Sequence, residues 1–102
     1  MHPSSPHQDI AGPARDGTNL NDSYVPVSCD FTDQLEDLSV KKVWLEVAHW
    51  GDRGRLVASH GRIVDLVTTP DKAEMLKLDN GTLIRLDRIF EVRPRFRERR
   101  TA

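Results

Sequence analysis

Four carboxylates fall at a spacing that can build a surface. Asp30, Asp33, Glu36 and Asp37 stand at i, i+3, i+6 and i+7, and a helix gathers residues so spaced largely along one side. A line of acids on a rigid helix can stand in for RNA phosphates on a basic groove. Each exposed ion pair contributes only ~0.2–1 kcal/mol, but several together speed encounter and make it salt-sensitive. The competing explanation is local, since acids crowd the first turns of helices because the macrodipole favours them there. Cys29 directly precedes the row, and no His, Asn or base stands at a motif-like spacing that would make it a nucleophile. It reads as a small buried hydrophobe at the helix start. His2, His7, His49 and His60 form no zinc spacing with that cysteine. His49 and His60 flank a turn and read as a satisfied or exposed pair facing each other. Gly51-Asp52-Arg53-Gly54 is too short for a phosphate loop and reads as that turn. No catalytic residue, metal or cofactor is expected.

The other charged feature lies at the far end. Arg93-Pro94-Arg95-Phe96-Arg97-Glu98-Arg99-Arg100 interleaves five arginines with one aromatic. Arg93, Arg95, Phe96 and Arg97 could hold a nucleic acid, the arginines on its backbone and Phe96 on a base. The plainer reading is a solvated terminus, and a third has the tail fold over the acidic helix and weaken its binding. These two ends explain a net charge of -1 that conceals a strong asymmetry: residues 1–40 carry seven acids against one base, residues 41–102 nine acids against fourteen bases. Such asymmetry speaks of partners rather than fold.

The elements that must position these groups can be read from pattern. A chain of 102 residues has room for one domain. Residues 1–20 are rich in Pro, Ser, Gly, Asp and His and read as a disordered extension that buries almost nothing. Tyr24-Val25-Pro26-Val27 reads as extended chain, because Pro26 pushes Val25 out of helical space. A helix starts after Ser28 or Asp30, with Asp30 as N-cap candidate, and runs to about Val40. Phe31, Leu35 and Leu38 share its docking face. Val43–Ala48 reads as a strand covered on both faces, by a barrel interior and by the helix. Leu56–Thr69 is a long strand bent at Gly61. Met75–Leu78 and Thr82–Leu86 form a hairpin around Asn80-Gly81, whose two residues suit the positive φ angles of a type I′ turn. Asp87–Val92 is a last strand, and residues 93–102 a basic tail. The fold expected is mainly β with one N-terminal α-helix: a small, partly open antiparallel barrel of about five strands. A single cysteine and the absence of a long apolar run point to a cytoplasmic protein that does not enter membranes.

One run of residues carries a resemblance. Tyr24-x-Pro26-Val27-x-Cys29-Asp30-x-x-Asp33-x-Leu35-Glu36, preceded by Asn21-Asp22, resembles the N-terminal signature of the Rho-binding antiterminators, small bacterial inhibitors of the termination factor Rho. Ile84-Arg85-Leu86-Asp87-Arg88-Ile89 is similar to a second segment of that family, and Gly54, Ala58, Asp65 and Leu66 are similarly spaced between the two. The resemblance covers residues 21–92 and implies an Sm-like fold, a helix on a five-stranded curved sheet. It implies a protein that binds the N-terminal RNA-binding domain of Rho and blocks RNA loading, with no enzymatic activity; apart from the resemblance, a monomer is expected. The residues it points to are Asp22, Tyr24, Asp30, Phe31, Asp33, Gln34, Glu36 and Asp37, with Asp71 and Lys72 of the Pro70–Lys72 loop as a secondary contact. Phe31 departs from the family pattern, which has a polar or acidic residue there, and serves either as core or as interface anchor. The alternative function is an Sm-like RNA-binding module that uses the basic rear.

Overall fold

The computed structural model describes residues 9–14, 23–51 and 54–95. Helix α1 spans Cys29–Lys41. Its N-cap is Ser28, whose Oγ accepts a hydrogen bond from the Phe31 amide at 3.1 Å. Asp30 therefore lies inside the first turn, where its charge complements the dipole, instead of capping it. The helix stops at Lys42, in the left-handed region at φ 55°, with Lys42 and Val43 N–H groups closing on the Ser39 and Leu38 carbonyls. A helix of this length needs a docking face, and Phe31, Leu35 and Leu38 supply it as expected, all three buried.

Among the described residues seven strands follow or precede that helix: β1 Ile10–Ala11, β2 Trp44–Trp50, β3 Leu56–Gly61, β4 Ile63–Thr68, β5 Glu74–Leu78, β6 Leu83–Arg85 and β7 Ile89–Arg95. They form two antiparallel sheets, ordered β1-β7-β2-β3 and β4-β5-β6, and neither closes into a barrel. The run expected as one bent strand is divided at Gly61 between the two sheets. Gly61 has φ +151°, a backbone conformation that residues with a side chain rarely adopt, and this is what calls for glycine at the corner. The chain crosses back through a 3₁₀ turn, Leu86–Arg88, before β7 pairs with β2. Leu35 and Leu38 meet Leu45, Val47, Ile63, Leu76, Leu78, Ile84, Leu86, Ile89 and Val92 in one core between the helix and the two sheets.

Four expectations are corrected. The extension is not wholly outside the fold: Ile10 and Ala11 pair with Val92 and Glu91, and Ala14 is buried. Sequence pattern misses this because two paired residues carry no periodicity. The last strand begins after the 3₁₀ turn and runs on to Arg95, so Arg93 and Arg95 belong to the sheet and not to a tail. The β5–β6 hairpin is not a two-residue type I′ turn, because only Gly81 has positive φ there. Gly81 N–H bonds the Leu78 carbonyl and Leu78 N–H the Thr82 carbonyl, both at 2.9 Å, giving a three-residue loop with a glycine bulge. Tertiary bonds select it: Asp79 N–H reaches the Arg62 carbonyl at 2.9 Å, and Asn80 Nδ2 donates to the His60 carbonyl at 3.2 Å. Finally, β2 is not apolar on both faces: α1 lies against β4 and shares one core with Leu45 and Val47 of β2. The second face of β2 carries Glu46, which lies near Arg93, Arg95 and His60.

Candidate protein-binding surface

With Phe31, Leu35 and Leu38 turned into the core, the remaining positions of α1 face solvent. Asp30, Asp33, Gln34, Glu36 and Asp37 are all exposed. At about 100° per residue, the four acids fall within an arc of roughly 120° on the side away from the core. Asp37 shares its charge with Lys41 at 3.0 Å, a half-exposed pair one helical turn apart. Phe31 is only 6% exposed and belongs to the core, which closes the interface-anchor alternative for it. Cys29 is exposed, against expectation. It stands at the first helical position, about 200° around the helix from Phe31, so the face that docks turns it outward.

The segment leading into α1 is held by a group that the pattern did not single out. Asp87, 7% exposed, accepts from Arg85 Nε at 2.9 Å and Nη2 at 2.6 Å and from the Val25 amide at 2.8 Å. Arg85 Nη2 also donates to the Ser23 carbonyl at 3.1 Å. Its guanidinium lies 5.8 Å from the centre of the Tyr24 ring. One bidentate pair thus ties residues 23–25 to the sheet, five residues upstream of the first acid. Nothing in the local sequence marks this pair, because Arg85 ends β6 and Asp87 lies in the following 3₁₀ turn.

Tyr24 is half-buried, and its hydroxyl donates to Glu74 Oε1 at 3.4 Å. A cleft of about 620 Å³ opens beside it, lined by Tyr24 and Pro26 together with Asp71, Lys72 and Met75. Two segments of candidate residues, far apart in sequence, therefore share one surface. The 69–73 loop is internally braced. Thr69 Oγ1 donates to an Asp71 carboxylate oxygen, Ala73 N–H donates to Thr69 Oγ1 at 3.1 Å, and Lys72 takes a left-handed φ of 71°. The Thr69 hydroxyl holds the Asp71 carboxyl below the usual carboxylate range.

Burial, and then the carboxylates of Glu74 and Asp87, push the Tyr24 phenol up to about 12 from the ordinary 10.0. Tyr24 is the chain's one tyrosine, so an alkaline titration read at the phenolate band is expected to show a single midpoint near 12. A phenol that binds its proton more tightly when folded contributes stability that is complete below pH 10 and lost as pH rises through about 12. A midpoint at the value of a free phenol would show that residues 23–25 are not docked.

The basic candidates divide. Arg93 meets Glu91 at 3.0 Å and Glu46 at 3.6 Å, and Arg95 meets Glu46 at 3.6 Å and Asp9 at 3.5 Å. Asp22, Phe96 and Arg97 lie outside the described residues. His49 and His60 do not face each other: the His49 ring bonds Ser59 Oγ at 2.9 Å, whereas His60 pairs across the strands with Glu46. Burial lowers the His49 pKa from 6.5. No helix among the described residues is long and apolar enough to cross a membrane. In comparisons with known proteins, no family model, no curated protein and no solved structure matches the chain.

Proposed function

We propose that this chain is a non-enzymatic, monomeric, cytoplasmic inhibitor that binds the N-terminal RNA-binding domain of transcription termination factor Rho and blocks RNA loading. The observation that carries the reading is the row Asp30, Asp33, Glu36 and Asp37, left in solvent on a helix whose opposite face is locked into the core. Carboxylates held at fixed spacing present a basic RNA groove with the charge it is built to receive. Tyr24 and the Asp71–Lys72 loop, joined across the cleft, add a contact that is not purely ionic.

The fold we assign to the proposal is Sm-like. Counting β3 and β4 as one strand broken at Gly61, the helix is followed by five consecutive strands, with β7 returning to β2. That supports the helix-on-five-strands arrangement which the resemblance implies. An RNA-binding role has less support, because Arg93 and Arg95 already lie against Glu46, Glu91 and Asp9.

The test mixes the purified chain with Rho in the absence of nucleic acid, and separately with RNA oligonucleotides. Expected is a Rho complex that weakens as salt rises, no retardation of RNA, and suppressed termination in a Rho-dependent transcription assay. Retarded RNA with a steep salt slope and no Rho complex would replace this reading with the RNA-binding one.

A further inference from the structure

The geometry points to the outer edge of β7 as an acceptor site for a segment of pattern apolar-x-Gly-Pro-Ala, which this chain fills with its own residues 10–14, paired as a strand at Ile10–Ala11 and bent at Pro13. Each position of that segment meets a separate requirement. Ile10 packs against the core and pairs with Val92. Gly12 donates its N–H to the Phe90 carbonyl at 2.9 Å, and Ala14 to the Ile89 carbonyl at 3.0 Å. Pro13 lies in a bend between these two donors, beyond the paired residues of β1, and its missing N–H takes no bond from either.

Side-chain size is restricted as sharply as hydrogen bonding. A Cβ on residue 12 would stand 2.2 Å from the Ile89 carbonyl oxygen. Ile89 is fully buried and cannot yield. Ala14 is 2% exposed, and its carbonyl accepts the Trp50 indole N–H at 2.7 Å. Trp50 is itself set edge-on against Phe90, ring centres 6.1 Å apart. Backbone bonds along an edge with side-chain selection at alternate residues are the ingredients of peptide recognition by strand addition. The site uses neither the α1 acids nor the Tyr24 cleft, so it stands or falls independently of Rho.

The test uses the full chain carrying Gly12→Val, which displaces the segment without removing it. Expected are faster amide exchange at residues 12 and 14 than in the wild type, a red-shifted tryptophan emission, and circular dichroism close to wild type. A synthetic peptide of residues 8–15 should then restore the emission saturably. The same peptide carrying Gly12→Val should bind at least about tenfold more weakly, the loss of one steric and hydrogen-bond fit. If Gly12→Val unfolds the chain, Ile10→Asp releases the segment through its apolar anchor, and the peptide pair is tested on that variant. Wild-type exchange and emission in the released variants, no response to the native peptide, or equal binding of both peptides would overturn the proposal.

Discussion

Reversing Asp33 and Glu36 together to lysine is expected to leave the domain folded and to abolish the Rho binding proposed for it. Both side chains are exposed on α1, and exposed substitutions away from packing usually stay within about 0.5 kcal/mol. The helix keeps its Ser28 cap, its Lys42 stop and its three buried anchors, so packing and not surface charge maintains it. Lysine near a helix start does oppose the dipole, and the Asp33→Asn, Glu36→Gln variant controls for that. Two lost attractions predict a loss of roughly tenfold in affinity for the neutral variant, and added repulsion predicts a further tenfold or more for the lysine variant. The neutral variant should also show a shallower salt dependence than wild type, because fewer screened pairs remain. Binding and Rho-dependent transcription, measured on variants with native circular dichroism, decide the matter. Wild-type inhibition by both folded variants would place the contact elsewhere on the domain.

Asp87→Ala should produce the largest loss of stability of any single change to a polar residue discussed for this chain. It removes the acceptor of the Val25 amide and both Arg85 bonds at once. Breaking a buried ion pair costs about 3–5 kcal/mol. The Arg85 side chain keeps 20% exposure and so some hydration, which places the expected loss near the lower end, about 3 kcal/mol. For a domain of this size that corresponds to roughly 12–24 °C in Tm. Asp87→Asn retains an oxygen for the Val25 amide and should fall between the two. Replacing Arg85 by methionine in the Asp87→Ala background should recover part of the loss, because no half-buried guanidinium then keeps its charge without the Asp87 carboxylate. The Tyr24 titration gives an independent readout: with residues 23–25 released and the Asp87 charge gone, its midpoint should fall from about 12 toward 10.0. Melting at the wild-type temperature would show that the clasp is not what holds the strap.

Local regularities carried much of this structure into view. The spacing of Phe31, Leu35 and Leu38 declares α1 and its buried face, and the same periodicity puts Asp30, Asp33, Glu36 and Asp37 in solvent. Alternating apolar residues and turn chemistry locate β2, β5 and β6, and Gly61 marks the corner between the sheets. Each is a consequence of a few adjacent residues choosing between backbone regions or between core and water.

What tertiary structure alone decided involves residues brought together from far apart. Asn80-Gly81 suits a type I′ turn in isolation, but hydrogen bonds from Asp79 and Asn80 to the Arg62 and His60 carbonyls set a three-residue loop instead. Ile10 and Ala11 have no strand signal of their own and pair because β7 leaves an edge open to them. Arg93 and Arg95 read as a free basic tail until β7 lays them beside Glu46 on β2. Cys29 has the character of a core residue, yet the docking face chosen by Phe31, Leu35 and Leu38 leaves it outside. Asp87 looks like any surface acid in the sequence, and becomes the buried anchor of the Tyr24 segment when Val25, 62 positions away, reaches it. A one-dimensional pattern records what each residue prefers, whereas the partner that satisfies it is set only when the sheets close around the core.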